Sequence, residues 1–65
     1  MENRFRDNLK SFRKAGKISQ QQLAVVLHTT VKTISHWETG YTEPSINQLL
    51  ELAEFFGITL EELLT

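Results

Sequence analysis

Residues 19–40, SQQQLAVVLHTTVKTISHWETG, decide the fold. Ser19 stands three residues before Gln22, a Ser-x-x-Gln capping box in which hydroxyl and amide satisfy the orphan N–H groups of a helix start. Leu23, Ala24 and Leu27 then share one face of that helix, and Ala24 is small enough to let another helix cross closely. His28, Thr29 and Thr30 form the turn, with Thr30 as N-cap of a second helix over residues 31–38. The inner face of this second helix is Ile34 and Trp37, which leaves Val31, Lys32, Ser35 and His36 outside. A helix so short, with Val31, Thr33 and Ile34 β-branched, is weak in isolation, so packing of Ile34 and Trp37 must hold it. Gly40 closes it as a C-cap, and residues 41–44 form a loop. The layout presents one helix outward.

Working outward, Phe5, Leu9 and Phe12 recur at i, i+4 and i+7, a helix with a single apolar stripe that Gly16 would end. Downstream, Ser45 and Gln48 make a second capping box. The helix it opens carries Ile46, Leu49, Leu50, Ala53 and Phe56 as its apolar pattern and stops at Gly57. Thr59 and Glu62 make a third box, opening a last short helix with Leu60, Leu63 and Leu64, whose leucines argue for docking rather than fraying. The expectation is an all-α bundle of five helices forming one domain over residues 1–65. No repeat, low-complexity tract or linker justifies an internal boundary.

A chain of 65 residues, 40% apolar, supports one core, and chains of this size bury only about 60% of their unfolded surface. With no cysteine, neither disulfides nor a thiolate metal site can supplement that core. No apolar run approaches the roughly 18 residues of a membrane span, and the first ten residues lack the apolar middle of a signal peptide, so a cytoplasmic protein is expected. The formal net charge of −1 conceals a segregation. Residues 1–32 hold all seven basic side chains (Arg4, Arg6, Lys10, Arg13, Lys14, Lys17, Lys32) against Glu2 and Asp7, a net of +5. Residues 33–65 hold six glutamates and no Lys or Arg, a net of −6. Halves this asymmetric point to a basic face for a polyanion and an acidic face turned elsewhere.

Catalysis is not expected, because nucleophile, base and orienting group do not occur as a set. His28 and His36, with no acidic ligand pattern beside them, make a poor metal site. No cofactor or small-molecule ligand is implied. A helix pair with a tight turn is common among α-proteins. The details here carry more: a small residue at Ala24, a short turn, and a polar outer row above Ile34 and Trp37 permit a steep crossing and a protruding helix, of the size that the B-DNA major groove admits.

At this point the chain resembles the helix-turn-helix family of phage Cro and repressor proteins, the Xre family. The likeness covers nearly all of residues 5–65: Leu9-Lys10 with Phe12-Arg13, Ile18-Ser19-Gln20, Leu23-Ala24, Thr33-Ile34-Ser35, Trp37-Glu38, Gly40, Pro44-Ser45, Leu52-Ala53, and Gly57-Ile58 before Leu60. The resemblance implies a five-helix domain of the phage-repressor type whose second and third helices form the helix-turn-helix. It also implies a regulator of transcription, a repressor by expectation, that dimerises on double-stranded DNA through its last helices. The family's base-reading positions fall on Val31, Lys32, Ser35 and His36. Lys32 can donate to guanine, Ser35 can donate or accept, Val31 can pack on a thymine methyl, and His36 can donate or accept according to its tautomer. Gln20 falls on a phosphate-contacting position, and Thr30, Thr39 and the Gly40 amide on further backbone-facing ones. Lys10 and Lys17 would aid electrostatically. Arg13 and Glu38 match a pair the family uses as a partly buried salt bridge.

Two residues depart from the pattern. His28 replaces the glycine the family favours in the turn, which costs about 1 kcal/mol if that position needs a positive φ. The loop Tyr41-Thr42-Glu43 stands where many relatives carry lysine or arginine near the phosphates, so each missing contact would make the salt dependence shallower. The competing expectation is therefore a protein-interaction module, of antitoxin or anti-repressor type, that keeps the fold but binds DNA weakly. For the regulator, a homodimer through Leu60, Leu63 and Leu64 is expected on a near-palindromic operator.

Overall fold

The computed structural model describes residues 4–65; Glu2, counted above with the basic half, and the start of the N-terminal stretch lie outside the described residues. Among the described residues five helices follow one another without a strand: α1 (Phe5–Ala15), α2 (Gln20–Val26), α3 (Val31–Thr39), α4 (Ile46–Phe56) and α5 (Leu60–Leu64). None is long and apolar enough to cross a membrane.

Local chemistry sets the starts. In each predicted capping box the hydroxyl accepts the N3 amide while the N3 side chain accepts the cap amide. The paired distances are 3.0 and 2.8 Å for Ser19 with Gln22, 3.2 and 2.8 Å for Ser45 with Gln48, and 3.0 and 3.0 Å for Thr59 with Glu62. Thr30 caps α3 by its hydroxyl alone, accepting from the Thr33 amide at 3.2 Å.

The stops differ in one respect from expectation. Gly16 ends α1 but keeps a right-handed backbone, and the next residue, Lys17, takes the left-handed one at φ 57. Its amide donates to Lys14 O at 3.0 Å and that of Ile18 to Arg13 O at 3.1 Å, the paired bonds of a Schellman stop. α2 stops the same way: His28 lies at φ 55, its amide donating to Val25 O at 3.2 Å and that of Thr29 to Ala24 O at 2.9 Å. The turn therefore does demand a positive φ, and the chain meets it with histidine.

Each helix contributes one side chain with no exposed surface: Leu9, Leu23, Ile34, Leu52 and Leu63. Phe5, Ala24, Leu27, Trp37, Leu49 and Ala53 complete this core, and the Phe12 and Phe56 rings, 5.8 Å apart, close its edge between α1 and α4. Along α4 the predicted stripe needs correcting. Ile46 and Leu50 are 64% and 50% exposed, and Leu52 takes the central buried place. Asn47, Gln48, Glu51 and Glu54 share one side of the helix, but the apolar arc opposite is wider than the face that is buried, so Ile46 and Leu50 fall at its exposed margin.

A second correction concerns α5. The three leucines are engaged within the domain, with Leu63 fully buried and Leu60 and Leu64 partly buried against the core. Leu63 is thus not available to a partner, and a contact through this helix could use only the edges of the other two. The orphan carbonyls of α5 are taken up by α1 and the residue before it: Asn8 Nδ2 donates to Leu63 O at 3.0 Å and Glu62 O at 3.4 Å, and the Arg4 amide donates to Leu64 O at 3.2 Å. These bonds dock the end of the described chain.

Candidate nucleic-acid interface

α3 is carried on Ile34 and Trp37, which are 0% and 2% exposed, so its opposite face stands away from the core. On that face Val31 and Lys32 are exposed and Ser35 and His36 half-buried. The four predicted reading residues therefore share one surface. It offers a methyl pair, an ammonium, a hydroxyl and an imidazole, a set able to contact base edges by packing and by hydrogen bonds.

The far end of α3 is held by three elements, α1, the α1–α2 turn and α2. Arg13 of α1 grips Glu38 with two parallel bonds, Nε to Oε2 at 2.6 Å and Nη2 to Oε1 at 3.1 Å. Its remaining Nη1 donates to Ile18 O at 2.9 Å, in the α1–α2 turn. The pair is withdrawn from water, with side chains 11% and 4% exposed, and the hydrogen bonds to Glu38, opposed by burial, keep the guanidinium pKa above its ordinary range. The expected structural pair is present.

Gln20 belongs to the same network. Its Nε2 donates to Glu38 Oε1 at 3.1 Å, so the side chain predicted to meet a phosphate turns inward and joins the start of α2 to the end of α3. Fork geometry explains this: Glu38 Oε1 has a lone pair left after Arg13, and Gln20 fills it.

Gly40 needs a similar correction. At φ 81 it reverses the chain, and its amide, expected to face DNA, donates to His36 O as the helix cap. The Tyr41 amide joins it there at 2.9 Å, that of Thr42 at 3.4 Å and the Thr39 hydroxyl at 3.3 Å. Orphan carbonyls at a helix end draw such donors. Thr30 and Thr39 are exposed at the two ends of α3, and Lys10 and Lys17 are exposed on α1 and in its stop. The acidic half presents Glu51, Glu54, Glu61 and Glu62 on α4 and α5, while Glu43 is exposed in the loop beyond Gly40.

Two residues at this end went unread in the sequence. Arg6 Nη1 donates to Thr39 O at 3.4 Å and lies so close over Gly40 that a Cβ there would come within 2.7 Å of it. A cation at a helix C-terminus is favourable toward the dipole. Nothing local marks a contact spanning 33 residues. Tyr41 is the other: its ring lies 4.6 Å from that of His36. An aromatic side chain in a short polar loop was the available signal.

The helix-turn-helix family model matches residues 9–63. The chain is 34% identical over 94% of its length to the HTH-type transcriptional activator BcrR of Enterococcus faecalis, of which it covers 30%. Among solved structures it matches a transcriptional regulator from Listeria innocua, with TM-score 0.93 and 28% identity over 98% of this chain and 60% of that one. It also matches the P22 c2 repressor in complex with a synthetic operator, with TM-score 0.87 and 30% identity over 94% of this chain and 92% of that one. The chain thus spans under a third of the activator and three-fifths of the Listeria regulator. The chain belongs to the Xre-type helix-turn-helix family of DNA-binding transcriptional regulators.

Proposed function

We propose that this chain binds double-stranded DNA sequence-specifically, laying α3 in the major groove, and that it represses transcription by occupying an operator. The observation that carries this reading is the single outward row Val31, Lys32, Ser35 and His36, set on a buried Ile34–Trp37 floor and fixed at its end by the Arg13–Glu38 pair. A reading helix must be rigid as well as exposed, because a loose one loses on binding the entropy that the scaffold would otherwise remove beforehand. The operator complex of the P22 repressor, which matches this chain nearly end to end, supports both the DNA and the repressor sense. Repression also asks least of the domain, since an occupied operator excludes polymerase without any further contact.

Two copies acting as a homodimer would place their α3 helices in successive major grooves about 34 Å apart, on a near-palindromic site. The contact would use the exposed edges of Leu60 and Leu64. The protein acts in the cytoplasm without catalysis, cofactor or metal. Electrophoretic shift of the chain on random duplex and on its own upstream region, at two salt concentrations, tests the reading. Binding at low salt that weakens with salt and favours one sequence is expected; no binding at low salt sinks it.

A second reading, a protein-interaction module, draws support from Val25, Val26, Ile46, Leu50 and Phe55, apolar side chains 40% to 66% exposed on α2 and α4. It predicts that substitutions at Lys32 and Ser35 leave activity in the cell untouched, whereas the DNA reading predicts loss.

A further inference from the structure

His36 is half-buried in the outer row, as Ser35 is, but its ring packs against a neighbouring aromatic ring. The left-handed turn at Gly40 brings residue 41 back over residue 36, where the Tyr41 amide donates to His36 O at 2.9 Å. The two rings then meet with centroids 4.6 Å apart and planes tilted by 55°. Tyr41 itself is 76% exposed, the most exposed of the large apolar or aromatic side chains among the described residues, and lies outside the core cluster. The bundle does not depend on its ring. What the ring does touch is a side chain on the reading face.

An imidazole reads a base edge only in the right rotamer, and both its χ angles are free on an open helix surface. Tilted aromatic pairs at this separation attract beyond their buried area. A ring fixed before DNA arrives spares the ordering that binding would otherwise require. We propose that Tyr41 is a specificity-determining positioning residue: its ring holds the His36 imidazole in the orientation that reads one base pair of each half-site. This rests on the DNA-binding reading above. Tyr41 acts through His36 and carries no charge, so it contributes to discrimination at one position and leaves the count of neutralised phosphates unchanged.

The test is selection from a randomised duplex DNA library by the parent chain and by Tyr41→Ala, Tyr41→Phe and His36→Ala, with melting temperature and salt dependence measured alongside. His36→Ala identifies the base pair that His36 reads by flattening the preference there. Tyr41→Ala is expected to lower discrimination at that same position by about three- to tenfold, the range set by fixing one such side chain. Tyr41→Phe, which keeps the ring, restores it. The slope of log K against log salt stays at the parental value in both tyrosine variants, since no phosphate contact is lost; melting temperature stays parental in Tyr41→Phe and falls by only a few degrees in Tyr41→Ala, about the loss of one surface ring pair.

A uniform loss across all positions, a Tyr41→Phe defect equal to that of alanine, or an unchanged preference at the His36 position with Tyr41→Ala each overturns the proposal while DNA binding stands. A parent that enriches no sequence overturns the DNA reading, and the proposal with it.

Discussion

The two ends of α3 are built on different principles. At its start the helix is joined to α2 by a short turn and capped by one hydroxyl, that of Thr30, beyond which Val31 and Lys32 stand in solvent. At its end Glu38 is gripped by Arg13 and Gln20, Arg6 lies over Gly40, and three backbone amides converge on His36 O. The first end is held only locally, so its outward residues can change with little cost to the fold. The second is held by α1, the α1–α2 turn and α2, so substitutions there act on the fold before they act on recognition. A reading helix needs both: an end that can vary and an end that cannot.

The largest test of this contrast is Glu38→Ala. It strands the Arg13 guanidinium at 11% exposure and frees the Gln20 amide, and removing one partner of such a buried pair costs about 3 to 5 kcal/mol. A 65-residue domain has roughly 3 to 10 kcal/mol to lose. Urea denaturation should show most of the stability gone, with DNA preference of the remaining folded fraction unaltered. Parental stability would show that the anchored end is not anchored by this pair.

Gly40→Ala comes next. A Cβ at φ 81 is strained by about 1 to 2 kcal/mol, and it would meet Arg6 Nη1 at 2.7 Å, forcing the guanidinium off Thr39 O. Repeating the substitution in an Arg6→Ala background removes the steric part and leaves the backbone part. Thermal denaturation of the four proteins should therefore show a smaller effect of Gly40→Ala when Arg6 is absent. Equal effects would mean that Arg6 swings aside freely and contributes nothing to the end of α3.

The contrast also explains what could be read from sequence. The starts of α2, α4 and α5 were legible, because capping boxes join residues three apart, and so were that of α3 from Thr30 and the core stripe of α1 and of the α2–α3 pair. On α4 the apolar arc is wider than the face that is buried, so periodicity alone did not choose Leu52 over Leu50 and Ile46; packing does. That Val31, Lys32, Ser35 and His36 lie on the outer face of α3 was legible for the same local reason as the caps. The anchored end was not, apart from the Arg13–Glu38 pair: Gln20 and Glu38 lie 18 residues apart, Arg6 and Thr39 lie 33 apart, and nothing nearby in the chain announces either contact.

At the locally held end the effects shrink. Thr30→Ala removes the one cap of α3, leaving the Thr33 amide to water, at a cost of about 1 kcal/mol. Circular dichroism melts should show this with the cooperativity of unfolding unchanged. A cost as large as that of Glu38→Ala would erase the distinction between the two ends.

His28→Gly should act in the opposite direction and most weakly. The histidine is exposed and sits at φ 55, so its side chain adds strain to the turn without filling the core. Glycine removes the strain, about 1 kcal/mol or somewhat more, but it also enlarges the conformational freedom of the unfolded chain, which returns part of that gain. The net expectation is a rise in stability of about half a kcal/mol, near the resolution of a careful thermal melt. Because the Thr29 amide bond to Ala24 O at 2.9 Å belongs to the backbone and survives the change, the aim of α3 should survive too, and DNA affinity should follow the parent. A fall in stability would mean that the imidazole makes a favourable contact at the turn, and that the start of α3 is held by more than its cap.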